Sequence, residues 1–386
     1  MNKKVITHAL ALSLCAAACG SQKPEPVAPT PAPETTVTVV QQAVPPPPSP
    51  EEQAQAKRIA DLAPEREKML AAHSAELARL TPELKAQALP IFEKKYGTTR
   101  AALTAAQKSP HRKPGNPERD AARHPLQTLE FLGVKPNQTV LEYGPGEGWY
   151  TELLAPTLYA QGKLLVTNGD PSGPLDQRST FYAQRFRLFL DAAPELYGKV
   201  ETARTGAVPG LPEGTQVDEV LVFRSLHVMF NQGVINDWLA AFHKALKPKG
   251  VLGIVQHRAP AGADPAVTSK QGYLPEAWVI AQVEAAGFKL AGKSEINANK
   301  KDTKDYAEGV WALPPSLKLG DVDREKYLAI GESDRMTLKF VKVEPKKALE
   351  PKLAAPTAAP EAPAGKKVVP EEATPASAPA ASAPAT

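Results

Sequence analysis

Residues 140–150, V-L-E-Y-G-P-G-E-G-W-Y, constrain the fold of this chain more than any other stretch. Two apolar residues and an acid lead into three glycines spaced G-x-G-x-G, which are Gly144, Gly146 and Gly148. Because glycine has no Cβ and adopts positive φ readily, such a turn lets the backbone approach a ligand closely. Residues 149–158 are predicted to form a helix whose first N–H groups face the same place. The pattern predicts a strand, a turn and a helix with a binding site at the turn.

The glycine spacing separates two kinds of nucleotide-binding turn. A dinucleotide-binding turn has the pattern G-x-G-x-x-G, in which the third glycine allows the helix to pack closely on the strand. Counted from Gly144, that third glycine would fall on Trp149. The spacing therefore argues against an oxidoreductase that binds a dinucleotide.

Apolar strands alternate with helices from residue 119 onward. Alternation of this kind is typical of an α/β fold with a mostly parallel sheet and helices on both faces. The predicted strands are residues 140–142, 163–167, 199–203, 219–223, 251–256, 288–294 and 336–341, of which the last two are expected to pair. The predicted helices are residues 120–131, 149–158, 180–191, 233–246 and 275–286.

A helical extension is predicted over residues 51–118, ahead of this domain. Residues 51–108 are dense in Ala, Glu, Lys, Gln and Leu, which all favour helix. Prolines at positions 64, 82 and 90 are expected to divide the segment into two to four helices. Four leucines form an amphipathic stripe, which we expect to pack on the neighbouring domain or on a partner. They are Leu70, Leu77, Leu80 and Leu84.

Several motifs resemble those of a known enzyme family. The run E-x-G-x-G-x-G that starts at Glu142 resembles motif I of class I S-adenosylmethionine-dependent methyltransferases. In residues 238–255, a helix ends at K-P-K-G before a strand, which resembles the L-K-P-G-G turn of these enzymes with Lys249 in place of a glycine. Residues 132–324 are also similar to a bacterial group of predicted methyltransferases, often exported. The resemblance implies a Rossmann-like class I methyltransferase fold over residues 119–342, with a seven-stranded sheet whose last hairpin is reversed.

The resemblance implies S-adenosyl-L-methionine as the cofactor, with a small-molecule or envelope-associated acceptor that the sequence does not identify. Glu142 would then complement the positively charged amino-acid end of the cofactor; its alternative role is to cap the glycine turn. The backbone of Gly144, Pro145, Gly146 and Gly148 would lie against the cofactor. These five positions are the first part of the predicted cofactor site.

Three further residues complete the predicted cofactor site. The acid that usually ends the second strand and binds the ribose is replaced by Asn168, with Asp170 two residues later. An amide both donates and accepts hydrogen bonds, so Asn168 can still contact a ribose, or Asp170 reaches in instead. The alternative is that residues 168–171 form only a turn. Arg224 lies in the loop after the fourth strand, which borders cofactor and acceptor in the implied fold.

Two histidines are the candidates for catalysis. His227 follows the fourth strand and His257 the fifth, and an imidazole that titrates near neutral pH can act as a general base. The alternative for both is a purely structural hydrogen bond. Arg258 is a candidate partner for an anionic acceptor, or one half of a surface ion pair. The polar loops 301–306 and 331–336 resemble a C-terminal block of the bacterial group; they are expected either to cover the acceptor or only to flank a hairpin.

The beginning of the chain predicts export. Residues 1–18 contain two lysines and then a short apolar run, as in a signal peptide. Small residues precede Cys19, which resembles the lipidation site of a bacterial lipoprotein; secretion without a lipid is the alternative. A lipid on Cys19 would anchor the protein to a membrane of the cell envelope without spanning it. Because both cysteines, Cys15 and Cys19, lie here, the remaining chain holds no disulfide and no thiolate metal site.

Two segments are rich in Pro, Ala and Glu and are predicted to be extended and disordered. They are the linker, residues 19–50, which contains four consecutive prolines, and the tail, residues 343–386. The whole chain is balanced in charge, with 46 Lys and Arg against 42 Asp and Glu. Such a balance gives no reason to expect nucleic acid as a partner.

Two hypotheses about function follow. The first is a methyltransferase that uses S-adenosylmethionine, is exported and is lipid-anchored in the cell envelope. The second is a catalytically inactive binding or structural module with the same fold, since a fold does not guarantee a chemistry. Export favours the second, because S-adenosylmethionine is made in the cytosol.

Overall fold

The computed structural model describes residues 48–205 and 209–343. The predicted signal peptide, Cys19, nearly all of the linker and all but the first residue of the predicted tail lie outside these ranges. The described strands are β1 (Thr139–Tyr143), β2 (Lys163–Asn168), β3 (Glu201–Arg204), β4 (Val217–Phe223), β5 (Leu246–His257), β6 (Phe288–Ser294) and β7 (Arg335–Lys342).

In the described part of the chain, these seven strands form one sheet in the order β3-β2-β1-β4-β5-β7-β6. The first five strands in this order, β3, β2, β1, β4 and β5, run parallel to one another. The strand β7 runs antiparallel to both β5 and β6. The predicted mostly parallel, seven-stranded sheet with a reversed last hairpin is confirmed. The strand order changes direction between β1 and β4, and a crevice at such a switch point is the usual ligand site of an open α/β sheet.

The helices lie before and between the strands. They are α1 (Pro50–Arg79), α2 (Pro82–Glu93), α3 (Thr99–Gln107), α4 (Asp120–Arg123), α5 (Pro125–Leu132), α6 (Thr151–Leu158), α7 (Arg178–Asp191), α8 (Pro194–Tyr197), α9 (Leu226–Asn231), α10 (Ile235–Ala245), α11 (Pro265–Thr268), α12 (Glu276–Ala285) and α13 (Arg324–Ile330). Short 3₁₀ turns occupy Pro117–Arg119, Ser269–Gln271 and Gly309–Ala312.

Helices cover both faces of the sheet. Val140 and Leu221 belong to a hydrophobic cluster that also contains residues of α2, α3, α6 and α7. Their neighbours Leu141 and Val220 belong to a second cluster, with residues of α10 and α12. Because successive side chains of a strand point to opposite faces, the two clusters are the two sides of the sheet. This confirms the predicted layered architecture.

The extension forms three long helices, α1 to α3, within the predicted number, but two prolines do not divide it as expected. Pro82 begins α2, whereas Pro64 and Pro90 lie inside α1 and α2. A proline inside a helix leaves the carbonyl four residues earlier without its hydrogen bond. Here those carbonyls belong to Ala60 and Ala86, which are exposed, so solvent can satisfy them.

The leucine stripe packs on the domain only at its end. Leu80 is buried and Leu84 packs against the first cluster, but Leu70 and Leu77 are 53% and 48% exposed. For these two residues, the prediction of packing on the domain was wrong, because α1 meets the loop after β2 and the start of α7 largely through charged side chains; packing on a partner stays a prediction. Arg58 pairs with Asp176, and Glu65 with Arg178.

The helix predicted over residues 120–131 is interrupted at His124. This residue adopts a left-handed conformation with φ of +43°, and the chain restarts at Pro125 as α5. The cause is local, since a residue that precedes proline disfavours the right-handed helical region. The break makes α4 a single turn whose last residue, Arg123, is buried.

The K-P-K-G segment contains a second left-handed residue. Lys249 has φ of +62° at the position where the motif that it resembles has a glycine. The helix α10 ends at Ala245, just before K-P-K-G and not within it as predicted. The strand β5 begins at Leu246 and includes the K-P-K-G segment, because Leu246 pairs with Val217 of β4. Across the described helices, none combines the length and the apolarity that crossing a bilayer requires.

Candidate functional site

The glycine turn lies where β1 leaves the sheet, beside β4. All three glycines have positive φ: +60° at Gly144, +62° at Gly146 and +84° at Gly148. A Cβ added at Gly146 would meet no atom within 4 Å, whereas one at Gly148 would lie 2.7 Å from the ring of Phe189. The backbone N–H of Gly148 donates to the carbonyl of Pro145 at 2.9 Å and closes the turn. Gly146 therefore presents bare, exposed backbone, and Gly148 permits close packing of α7.

Glu142 links the strand to the following helix. Its side chain is 2% exposed, and its Oε2 accepts a hydrogen bond from Thr151 Oγ1, the first residue of α6, at 2.7 Å. Burial raises the pKa of Glu142 to about 7, although the Thr151 hydrogen bond and the charge of Arg224 act in the opposite direction. A group of this pKa responds to a nearby cation by ionising, since an opposite charge favours its charged form.

The two candidate ribose ligands are engaged within the protein. Asn168 donates its side-chain amide to the carbonyl of Ala183 in α7 at 3.2 Å. Asp170 is exposed, and its Oδ1 accepts from the backbone N–H and the hydroxyl of Ser172 at 2.9 and 2.6 Å. The two contacts between Asp170 and Ser172 are typical of a local turn, which was the alternative role given for residues 168–171. A ribose role for either residue stays a prediction.

The two candidate catalytic histidines are close together but buried. Their ring centroids are 5.9 Å apart. His227, in α9, has Nδ1 3.3 Å from the Gln256 amide nitrogen, and His257, at the end of β5, has Nδ1 2.5 Å from Ser333 Oγ. Burial lowers the pKa of His227 to about 4 and holds that of His257 well below its usual value. Both imidazoles are thus neutral at pH 7 and weaker bases than the sequence suggested.

Arg258 has no free N–H donor with which to bind an acceptor substrate. Its guanidinium makes hydrogen bonds to Asp334, Glu276 and Glu295, and these use Nε, Nη1 and Nη2. The five contacts match the five N–H donors of a guanidinium. The predicted role in binding an anionic acceptor is therefore wrong, and the alternative, an ion pair, is what the structure contains.

A cluster of arginines at the same edge of the sheet escaped the sequence analysis. Glu332 accepts hydrogen bonds from Arg119 at 3.2 Å, from Arg123 at 3.0 Å and from Arg335 at 3.0 Å. Arg224 lies further away, with its Nη1 4.0 Å from the Glu332 carboxylate. The sequence analysis named Arg224 as a cofactor-site residue and noted the polar loop that contains Glu332. Nothing local in the sequence relates these to Arg119 and Arg123, which lie far away in the chain.

Aromatic rings form one side of this arginine cluster. Tyr150 stacks on Phe223, the last residue of β4, with ring centroids 3.5 Å apart and planes 8° from parallel. The guanidinium carbon of Arg123 lies 4.7 Å from the centroid of the Trp149 ring. The Nε1 of Trp149 donates a hydrogen bond to the carbonyl of Asn116. A tryptophan stands where a dinucleotide-binding turn has glycine, and its side chain is part of the site.

A cavity of about 470 Å³ lies between α1 and α7, next to the glycine turn. Its lining is mixed: Met69 and Phe181 are apolar, whereas His73 and Glu147 are polar. Glu147 belongs to the turn and pairs with Arg185 of α7 at 2.8 Å. Within residues 48–205 and 209–343, no three His, Cys, Asp or Glu side chains are grouped as a metal ion would require.

No protein-family model matches the sequence, and a search of curated proteins finds no significant match. Among solved structures, the chain is similar to a SAM-dependent methyltransferase from Aquifex aeolicus, with 17% identity over 59% of this chain and 94% of that chain and a TM-score of 0.38. It is also similar to the N-methyltransferase NodS from Bradyrhizobium japonicum, with 17% identity, coverage of 59% and 97%, and a TM-score of 0.36. A glycopeptide N-methyltransferase, MtfA, complexed with sinefungin, has 13% identity, coverage of 58% and 87%, and a TM-score of 0.38. Similarities at this level carry no argument about activity.

Proposed function

We propose that this chain is an S-adenosylmethionine-dependent methyltransferase, exported and lipid-anchored at Cys19, whose acceptor is not identified. The observation that carries the proposal is the glycine turn at the switch point between β1 and β4. There, Gly146 is exposed with φ of +62° and open space around its Cα. A ligand can approach the backbone at this position more closely than any side chain would permit.

Two features of the turn support the proposed cofactor. The backbone of Gly144 to Gly148 would lie against it, and Glu142, whose pKa is about 7, would complement its ammonium group. When bound, S-adenosylmethionine supplies an electrophilic methyl group on a sulfonium. The protein has to align the methyl donor with the acceptor and to keep water out. Methyl transfer of this kind requires no covalent enzyme intermediate.

A catalytically inactive module is the second candidate, and specific contacts favour it. The N–H of Gly144 donates to Thr167 Oγ1 at 2.9 Å, and the amide of Asn168 donates to α7. The Glu142 carboxylate accepts from Thr151. Three polar groups that a cofactor would use therefore already have partners inside the protein.

Calorimetric titration of the purified full chain with S-adenosylmethionine separates the two candidates. We expect saturable binding that Gly146→Val weakens by about tenfold or more, because the added side chain occupies the open space beside the turn. The matched control is Gly214→Val. Gly214 also has positive φ, +77°, and open space, but it precedes β4 at the opposite edge of the sheet.

The same titration can contradict the proposal in two ways. If the unmodified chain shows no binding up to millimolar S-adenosylmethionine, the inactive module is the better description. If Gly214→Val loses as much affinity as Gly146→Val, the loss reflects backbone strain and not a blocked site. Glu142→Ala is a further variant that should weaken binding.

The proposed location has its own test. Replacing Cys19 by serine in the full chain is expected to move the protein from the membrane fraction to the soluble envelope fraction, because a thiol is required for the lipid. Cys15→Ser is the matched control, since the small residues of the lipidation pattern precede Cys19. Membrane association of Cys19→Ser equal to that of the unmodified chain would contradict the lipid anchor.

A further inference from the structure

The arginine cluster, formed by Arg119, Arg123, Arg224 and Arg335, carries more positive charge than the protein neutralises. Among the described residues, Glu332 is the carboxylate with which all four pair, and none of them pairs with a second one. Glu332 therefore supplies one negative charge to the four guanidinium groups that pair with it. The side chains of Arg123 and Arg335 are buried, at 2% and 4% exposure, and buried charges that lack full compensation cost several kcal/mol, so the cluster favours a counter-ion.

Arg123, one of the four arginines of the cluster, has a buried N–H donor that makes no hydrogen bond to a described residue. Its side chain is 2% exposed, and its Nε donates to both oxygens of Glu332 at 3.0 Å. Its Nη1 is buried and makes no hydrogen bond to any described residue. Buried N–H groups nearly always have a partner, and one without a partner costs about 1–3 kcal/mol. The orphaned Nη1 thus points to a group that the polypeptide does not supply.

Arg224 reaches the cluster from a backbone conformation that is unfavourable for a residue with a side chain. It directly follows β4 with φ of +57°, which is uncommon for a residue with a side chain, and its N–H donates to the carbonyl of Val255 at 2.6 Å. Strained residues persist where the surrounding structure demands their position, which is often a functional site. Burial lowers the pKa of Arg224, and that of Arg119 also falls.

Glu142 does not neutralise the cluster. Its charge acts on Arg224, yet burial raises its pKa to about 7, so it is only partly ionised at neutral pH. Glu147 also acts on Arg119 but pairs with Arg185, so even with Glu142 fully ionised the four guanidinium groups outnumber the carboxylates near them. The remaining positive charge lies beside the glycine turn, where the second reactant of a transfer reaction has to bind.

We propose that the arginine cluster binds an oxyanion group, a carboxylate or a phosphate, carried by the acceptor substrate. Guanidinium groups present paired N–H donors that match both kinds of oxyanion. The assignment of the oxyanion to the acceptor rests on the proposed function. The anion site itself rests on the charges, the orphaned donor of Arg123 and the position of Arg224.

The test uses the full chain without any cofactor. It is titrated with inorganic phosphate and, separately, with acetate, at ionic strength kept constant with sodium chloride, and heat is measured by calorimetry. We expect saturable binding of at least one anion, weakened about tenfold or more by Arg224→Gln and by Arg119→Gln. Whichever anion binds more tightly identifies the kind of oxyanion that the cluster prefers. Arg187→Gln is the matched control, because Arg187 is exposed on α7 and pairs with Asp191.

Two outcomes would overturn the proposal: neither anion binds saturably, or both cluster variants bind as the unmodified chain does. Circular dichroism checks that each variant is folded. If the arginine variants do not fold, Glu332→Gln decides instead, since removal of the competing carboxylate is expected to tighten anion binding, and unchanged affinity would refute the site. The titration contains no S-adenosylmethionine, so a failed cofactor titration and a failed anion titration remain separate results.

Discussion

Glu219→Met is expected to remove one large contribution to the pH dependence of the stability of this protein. Glu219 lies in β4, at the middle of the sheet, with 0% exposure. Neither carboxylate oxygen makes a hydrogen bond to a described residue. Burial raises the pKa of Glu219 to about 8 from an ordinary value of 4.5. This residue therefore stays protonated in the folded protein over a pH range in which it ionises in the unfolded chain.

The sign of the effect follows from the protons bound in each state. Between pH 4.5 and about 8, the folded protein keeps the proton on Glu219 and the unfolded chain has lost it. The free energy of unfolding then falls as the pH rises, by about 1.4 kcal/mol per pH unit and about 5 kcal/mol over the whole window. Methionine has a similar size and does not titrate, so the variant lacks this contribution.

Urea denaturation of both proteins at several pH values between 5 and 8 measures the effect. The stability of the unmodified chain should approach that of Glu219→Met at low pH and fall behind it steadily as the pH rises. A residual pH dependence is expected from Glu142 and Glu152, whose pKa values burial raises to about 7, and, with the opposite sign below about pH 6.5, from His227 and His257, whose pKa values burial lowers. Glu201→Met, at an exposed position of β3, is the matched control and should leave the pH dependence unchanged. Parallel curves for Glu219→Met and the unmodified chain would contradict the prediction.

Glu332→Gln is expected to lower the free energy of unfolding by about 3–5 kcal/mol, the usual cost of removing one partner from a buried ion pair. Glu332 is 8% exposed and is the shared acceptor of three guanidinium groups within 3.2 Å. Glutamine preserves the size of the side chain but leaves the positive charges without their common partner. Added phosphate should restore part of the loss, because an anion that binds the folded state stabilises it.

The matched control for this variant is Glu295→Gln. Glu295 also binds an arginine, Arg258, but its side chain is 64% exposed and Arg258 keeps Asp334 and Glu276. We expect this change to cost no more than about 1 kcal/mol, as is usual for exposed ion pairs. Equal losses in the two variants, measured by urea denaturation, would show that Glu332 has no special place in the network.

Local rules predicted the elements well where the determinants lie within a few residues. The first strand was predicted at residues 140–142 and is Thr139–Tyr143. The three glycines adopt the left-handed backbone that their spacing suggested. The same rules failed at His124. The sequence pattern predicted one helix over residues 120–131, but the proline after His124 divides it into α4 and α5.

The chemical state of the candidate residues was less predictable. The sequence places His227 and His257 at the ends of strands, where a general base is plausible. Their burial, which lowers both pKa values, depends on what packs around them, including Trp311 and the loop of Ser333. Arg258 shows the same limit, because its three carboxylate partners come from distant parts of the chain.

The sequence alone determined the layered α/β sheet and the turn at Gly144 to Gly148, because hydrophobic periodicity and the glycine requirement for positive φ act over a few residues. Only the tertiary structure decided where charge accumulates. Arg119 lies in a 3₁₀ turn ahead of α4, Arg224 follows β4, and Glu332 precedes β7, which runs antiparallel to β5, so only the packing of these distant elements brings the three residues together. Whether these charges are paired, buried or left over is a property of that packing, and no local pattern encodes it.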